Sequence, residues 1–304
     1  MERAARWIKR YARPLETVQW EFFFEQGPKE KVLGYLSAFQ NEDGGFGNGL
    51  EPDFWLPSSS PMASSMAGRI LDDINADSDG EIIVKFKTYL INTSQVEPGM
   101  WASTLPENNL HPHAPWWHWQ QGGQGAWMFN PSVELASFLI KWSSPESSEA
   151  ELGWFSLGHA MQRLKQAETM ERHEVKCYRH SLRLLADHKT RFNAVMGWTF
   201  AEAEDKVQEL TKRVIDKDVD NWKKGYKPLP LDFIHSPADP LYLELKTLVE
   251  QNLDFFLEKR TSEGIWEIPW SWGQYPNEFS IARRYWQGIL ALERYRILKA
   301  FGWL

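Results

Sequence analysis

The stretch FQNEDGGFGNGLEPD, residues Phe39 to Asp53, contains a spacing that recurs later in the chain. A glutamine is followed four residues later by a glycine and six residues later by an aromatic residue, and in one copy arginine replaces the glutamine. The three copies are Gln40-Gly44-Phe46, Gln95-Gly99-Trp101 and Arg260-Gly264-Trp266. Positions 40 and 95 are 55 residues apart, and positions 95 and 260 are separated by three times that interval. A fixed period near 50 residues predicts a chain built from stacked supersecondary units.

The spacing of apolar residues predicts that these units are helical hairpins. Apolar side chains recur at intervals of three and four along most of the chain, and no stretch alternates with a period of two. Pro14 is expected to start a second segment within the first helical region. The predicted helices cover residues 2–26, 29–40, 61–75, 79–92, 131–142, 148–168, 171–187, 192–217, 238–259 and 278–299. We therefore predict an all-α chain that folds as a single domain over residues 1–304.

The connections between the predicted helices are of two kinds. Those near residues 76–78, 169–170 and 188–190 are very short, whereas four others are long and aromatic, at 41–60, 93–130, 218–237 and 260–277. In a closed array of hairpins, alternate connections lie at opposite ends. The long connections are therefore expected to form a rim around a concave site.

Composition limits the classes of function. Hydrophobic residues make up 42% and charged residues 25%, as in ordinary globular proteins, whereas 17 tryptophans suit packing posts or a π-lined pocket. The net charge of −7 and the lack of a basic stripe argue against nucleic-acid binding. No apolar run approaches the ~18 residues of a membrane span, and no signal-peptide pattern is present. The single cysteine, Cys177, excludes an internal disulfide. We therefore expect a cytoplasmic protein.

The Gln-x3-Gly-x-Trp spacing resembles the QW repeat of the terpenoid cyclase and protein prenyltransferase superfamily. The resemblance implies an α/α toroid, here a barrel of five to six helical hairpins, with an inner ring of helices inside an outer ring. The stretch from Gln40 to Asp53, with HPHAPWW at 111–117, also looks like uncharacterised bacterial proteins described as prenyltransferase-like.

The chain departs from the known chemistry of that superfamily. The Asp-x-Asp-Asp acid of class II cyclases has no counterpart, because neither Asp72-Asp73 nor the aspartates at 216–220 have its spacing. Cys177 lacks the neighbouring Asp of the zinc site in protein prenyltransferases. The resemblance therefore implies the fold and carries over neither established set of catalytic residues.

Two carboxylates in the opening stretch are the first catalytic candidates. Glu51 and Asp53 follow a glycine-rich turn that lets the backbone approach a ligand closely. The apolar wall of Phe54 and Trp55 is expected to raise the pKa of one carboxyl and suit it to general acid or base catalysis. The alternative is that both carboxylates cap the next helix or accept hydrogen bonds from loop amides.

A histidine in the long loop is the third catalytic candidate. His113 lies in His111-Pro112-His113, where proline stiffens the backbone, and its imidazole suits proton transfer. Imidazole and carboxylate also form mixed zinc or iron sites, but His-x-His alone is weak evidence, and we predict no metal site and name no cofactor.

Substrate-binding candidates are the aromatic and imidazole side chains beyond the repeat motif. They are Trp55, His111, Trp116, Trp117, Trp270 and Trp272. Phe46, Trp101 and Trp266 are expected instead to pack between neighbouring hairpins.

Two classes of small-molecule substrate follow, and whether the chain is an enzyme stays open at this point. In the first, an apolar isoprenoid-like substrate lies in a toroid cavity, π faces stabilise a carbocation, and Glu51 or Asp53 transfers the proton. In the second, tryptophan platforms stack sugar rings, and two carboxylates from among Glu51, Asp53 and Glu107 perform hydrolysis or elimination with help from His113. A third possibility is a toroid that serves as a non-catalytic interaction protein. The sequence does not set an oligomeric state.

Overall fold

The computed structural model describes residues 1–94, 99–123 and 128–304, and throughout these ranges the regular structure is helical. The only β pairing within them consists of two isolated bridges. The α-helices are α1 (Glu2–Tyr11), α2 (Pro14–Phe24), α3 (Lys29–Leu36), α4 (Pro61–Asp73), α5 (Glu81–Thr93), α6 (Phe129–Trp142), α7 (Ser148–Gln166), α8 (Arg172–Leu184), α9 (Lys189–Val195), α10 (Phe200–Val214), α11 (Lys246–Glu258) and α12 (Pro276–Ala300). The predicted all-α class is confirmed.

Two predicted helices were too long. The helix expected over 192–217 is divided into α9 and α10 near Gly197, whose φ of 67° lies in the left-handed region. The helix expected over 238–259 begins only at Lys246, because Asp239 directs its side chain and carbonyl to nearby backbone N–H groups and forms a turn. Apolar residues continue at helical spacing through both interruptions, so the sequence pattern did not predict them. The division of the first helical region at Pro14 is confirmed.

The chain forms two compact units, one made of Met1–Leu36 with Ile215–Leu304 and the other of Ser37–Val214. In the first unit the C-terminal helix α12 packs against α1 and α2, so the first and last helices of the chain are neighbours. The toroid and the single domain remain predictions.

In the unit of Ser37–Val214, α6 lies at the centre and packs against α4, α5, α7 and α8. Every residue from Asn130 to Ile140 is buried, as expected for a helix surrounded by others. The neighbouring helices approach closely at small residues. A Cβ added to Gly68 of α4 would lie 2.3 Å from the Phe138 ring, and one added to Gly153 of α7 would lie 2.8 Å from the Ala136 carbonyl oxygen.

The first and third copies of the repeat motif form the same turn. Asn41 N–H donates to the Gly45 carbonyl at 2.9 Å, and in the third copy Thr261 N–H donates to the Ile265 carbonyl at 2.8 Å. The motif glycines at positions 44, 99 and 264 have φ values of 89°, 80° and 85°, so all three copies share a conformation that favours glycine. Gln95, the first residue of the second copy, lies outside the described residues.

The motif aromatics are packing residues, as expected from the sequence. The indole N–H of Trp101 donates to the Leu90 carbonyl at 3.0 Å, and that of Trp266 donates to the Phe256 carbonyl at 2.7 Å. Both carbonyls lie in the last turn of the preceding helix, where intrahelical partners run out. Phe46 is equally buried. In the second and third copies the repeat is therefore a structural device that ties the turn to the helix before it.

Candidate functional site

Two loop segments bring the candidates of 51–55 and 111–117 into one cluster. Trp55 N–H donates to the Pro112 carbonyl at 2.9 Å, and Ala114 N–H donates to the Asp53 carbonyl at 2.7 Å. These bonds pair residues 53–55 with 112–114 in an antiparallel arrangement, with Phe54 opposite His113. Phe54 also packs edge-on against Trp117, with ring centroids 5.5 Å apart.

Glu51 is the buried acid of this cluster, with only 5% of its surface exposed. Burial is the main cause that raises the pKa of its carboxyl well above the usual value, and the charge of Asp53 adds to it. The backbone N–H groups of Asp53 and Phe54 and the indole of Trp117 oppose the shift without cancelling it. The pKa of Glu51 is therefore raised, in the direction expected from the sequence, but burial and Asp53 raise it and the indole of Trp117 acts against the shift.

Asn108 and Trp117 each have one buried polar atom without a hydrogen-bond partner among the described residues. The Asn108 amide donates to the Trp117 carbonyl at 3.2 Å, but its Oδ1 has no hydrogen-bond partner. Trp117 is 8% exposed, and its Nε1 is also unpartnered, since its approach to Glu51 falls short of hydrogen-bond geometry. Of these two atoms, the indole nitrogen of Trp117 is the one that approaches Glu51.

His113 is buried, and both of its ring nitrogens have partners. Nδ1 lies 2.6 Å from the His111 carbonyl oxygen, and Nε2 lies 3.0 Å from Nδ1 of His118. His118, which was not among the predicted site residues, is exposed. The most exposed imidazole of this cluster is thus His118, five residues beyond the histidine nominated as catalytic, while His111 is partly exposed.

The predicted substrate-binding residues differ in their surroundings. Trp116 is 40% exposed. Trp55, in the first paired segment, and His111, which directly precedes the second, are partly exposed. Trp270 and Trp272 belong to the other compact unit. There Trp270 contacts the rings of Tyr226 and Trp286, and Trp272 is buried against Phe279.

A buried ionic network around Glu134 of α6 was not predicted. Glu134 accepts hydrogen bonds from Ser65 at 2.8 Å and from Arg69 at 2.7 Å, and its Oε1 lies 2.6 Å from Nδ1 of His180. Nε2 of His180 is 3.3 Å from Asp72, which also binds Lys141 and Arg183. The network connects α4, α6 and α8.

The charges of this network stabilise one another. Burial by itself would raise the pKa of Glu134, but Arg69 and His180 outweigh it and lower that pKa to about 2. Burial likewise opposes protonation of His180, yet the charge of Glu134 and the hydrogen bonds of both carboxylates raise its pKa. Since both imidazole nitrogens are occupied by carboxylates, His180 holds helices together and is not available to a substrate. A lone glutamate inside the apolar run VELASFLI, residues 133–140, is the signal that could have indicated a buried partner.

Two features that would indicate a class of protein, a metal site and a membrane span, are absent from the described residues. No group of three or more His, Cys, Asp or Glu side chains in that part of the chain has the arrangement of a metal site. No helix there combines the length and apolar character of a membrane span. Comparison with protein-family models, curated proteins and solved structures gives no match.

Proposed function

We propose that this chain is an acid–base enzyme that protonates an apolar, isoprenoid-like substrate, with Glu51 as the proton donor. The observation that carries the proposal is the buried Glu51 carboxyl, whose pKa is raised by burial and by the charge of Asp53. Titratable groups perturbed in this way are concentrated at catalytic sites. The adjoining rings of Trp117 and Phe54 supply the π faces that stabilise positive charge.

The hydrogen bonds of Glu51 set the orientation of its acid. Oε2 accepts the Asp53 backbone N–H, so the acidic proton belongs on Oε1. Transfer to an alkene carbon uses the π electron pair to form a C–H bond, and leaves a carbocation on the adjacent carbon and a carboxylate at Glu51. Loss of a proton from a neighbouring C–H bond to a base then restores a neutral alkene.

One observation favours a second candidate, the carbohydrate-active enzyme. Trp116 is 40% exposed and lies two residues after the segment paired with the loop of Glu51 and Asp53. An exposed indole suits stacking against a sugar ring, and the two carboxyls would then be the acid and its partner. In that reaction Glu51 protonates a glycosidic oxygen and not a carbon.

The destination of the proton distinguishes the two reactions. In D2O, protonation of an alkene places deuterium on carbon, whereas protonation of a glycosidic oxygen gives only exchangeable O–D. We would incubate the protein in D2O with detergent-dispersed polyprenols and squalene, and separately with an oligosaccharide panel, and analyse the products by mass spectrometry. Carbon-bound deuterium in the isoprenoid products is the expected result.

The controls use isosteric carboxyl-to-amide changes. Glu51→Gln keeps an acceptor for the Asp53 N–H and removes the acid, so turnover should fall by roughly a hundredfold or more. Glu146→Gln alters an exposed glutamate of the same compact unit and should leave turnover unchanged. Equal turnover by Glu51→Gln and the unaltered protein, or no turnover of either panel by the unaltered protein, would contradict the proposal.

A further inference from the structure

The hydrogen bonds of His113 determine where its proton lies. Its Nδ1 is 2.6 Å from the His111 carbonyl oxygen, which can only accept, so Nδ1 carries the hydrogen. In the neutral ring Nε2 is then an acceptor, and the atom 3.0 Å from it, Nδ1 of His118, must be the donor. The lone pair of neutral His118 is consequently on Nε2.

The ring geometry agrees with this assignment. The centroids of the two imidazoles are 5.3 Å apart, and their planes differ by 24°. This separation equals the distance between Nε2 of His113 and Nδ1 of His118 plus the radius of each five-membered ring. The rings therefore meet edge to edge, with the hydrogen bond along the line between their centres, and not face to face. Both imidazoles are held in orientation by one chain of bonds that starts at the His111 carbonyl.

Accessibility separates the roles of the two histidines. His113 is buried and has partners on both nitrogens, so it cannot take a proton from a substrate. His118 is exposed, and among the described residues its Nε2 has no hydrogen-bond partner. His118 also directly follows Trp117, whose indole adjoins Glu51.

We infer that His118 is a further catalytic residue, the base whose Nε2 removes a proton from the substrate cation, and that His113 is its positioning residue. The reaction itself rests on the function proposed above. The C–H bond breaks, its electron pair becomes the double bond of the product, and the proton forms an N–H bond at Nε2 of His118. Nδ1 of the resulting imidazolium still donates to His113, and the proton on Nε2 passes to solvent.

The first experiment measures the tautomers, which do not depend on any substrate. Long-range ¹H–¹⁵N NMR of the full chain should show both His113 and His118 in the Nδ1–H form, whereas an unconstrained histidine favours Nε2–H. His113→Phe removes the acceptor, and His118 should then revert to Nε2–H. If His113→Phe does not fold, the tautomer of His118 is read from the spectrum of the unaltered protein alone. The signals of His118 are identified there by their disappearance in His118→Gln. An Nε2–H tautomer at His118 in the unaltered protein would overturn the inference.

The second experiment tests access and turnover. Diethyl pyrocarbonate, which acylates accessible neutral imidazole, should modify His118 and spare His113 when the sites are mapped by mass spectrometry. With dispersed polyprenols as the probe, His118→Gln should lower turnover at least tenfold, while His159→Gln, at an exposed histidine of α7, should not. Unchanged turnover in His118→Gln, or preferential labelling of His113, would overturn the role of His118. An unexpected tautomer or labelling pattern would contradict only the role of His118. The absence of any Glu51-dependent product would instead contradict the proposed function.

Discussion

Replacing Glu134 with glutamine is the most direct test of the buried network, because the change removes a charge with little change of shape. The Glu134 side chain is 1% exposed, and its pKa falls from 4.5 to about 2 because Arg69 and His180 outweigh the effect of burial. At about 1.4 kcal/mol per pKa unit, this shift corresponds to about 3 kcal/mol of stabilisation at neutral pH. Arg69 is 43% exposed, so solvent screens part of its contribution, and we expect a loss of roughly 2–3 kcal/mol.

The sign of the pKa shift fixes how this loss depends on pH. The pKa of Glu134 is lower in the folded state than in the unfolded state, so the stabilisation is complete above the unfolded value of 4.5. It disappears as the pH falls from there through the folded value of about 2. The difference in free energy of unfolding between the unaltered protein and Glu134→Gln should therefore be largest near pH 6 and should narrow below pH 4.5.

Hydrogen exchange measured by mass spectrometry suits this prediction, because two compact units need not unfold together. Peptides that cover α6 would be followed at pH 6 and at steps down to pH 3, with rates corrected for the intrinsic effect of pH. Glu146→Gln is the matched control, since that glutamate is exposed and lies in the same unit. A loss of protection in α6 that is equal for both variants, or that does not change with pH, would refute the electrostatic account.

Two further predictions concern the repeat motif. Gly44→Ala places a Cβ 2.1 Å from the Lys85 carbonyl oxygen at a φ of 89°, whereas a Cβ at Gly122, where φ is 77°, meets none of the described residues within 4 Å. Gly122→Ala should cost about 1–2 kcal/mol from backbone strain, and Gly44→Ala at least twice as much in urea denaturation. Trp101→Phe leaves the Leu90 carbonyl without its indole donor and should cost about 1–3 kcal/mol, measured by thermal denaturation. Equal losses for the two glycines, or no loss for Trp101→Phe, would show that these contacts do not stabilise the turns.

Local features of the fold were predictable because the residues that cause them are adjacent in sequence. Ser60 and Pro61 predict the start of α4, and in the structure the Ser60 hydroxyl accepts a hydrogen bond from the Ala63 N–H. The interruption near Gly197 was missed, since it depends on a backbone conformation that apolar spacing does not encode. The buried network was missed because its members are far apart in sequence: Arg69 and Glu134 are separated by 65 positions.

The candidate site was predictable in its residue types and not in its geometry. A glycine-rich loop with Glu51 and Asp53, and a proline-stiffened segment with His113, were recognisable from side-chain chemistry alone. Their pairing depends on hydrogen bonds between residues 53–55 and 112–114, which no sequence pattern specifies. The distinction between His113 and His118 depends on which imidazole is buried. The two residues are five positions apart in an irregular loop, where no periodic pattern in the sequence predicts which side chain is buried.

Comparison of Glu51 with Glu134 shows why the first is the better catalytic candidate. Both are buried glutamates of the same compact unit, so burial raises the pKa of each. Glu134 faces the cations Arg69 and His180, which lower its pKa and make the charged form stabilising. Glu51 faces the anion Asp53, so the protonated form is favoured and its stabilising effect is lost as the pH rises through its raised pKa. A carboxyl whose surroundings disfavour ionisation reduces stability at pH values above its raised pKa, and the same surroundings make it a proton donor suited to general acid catalysis.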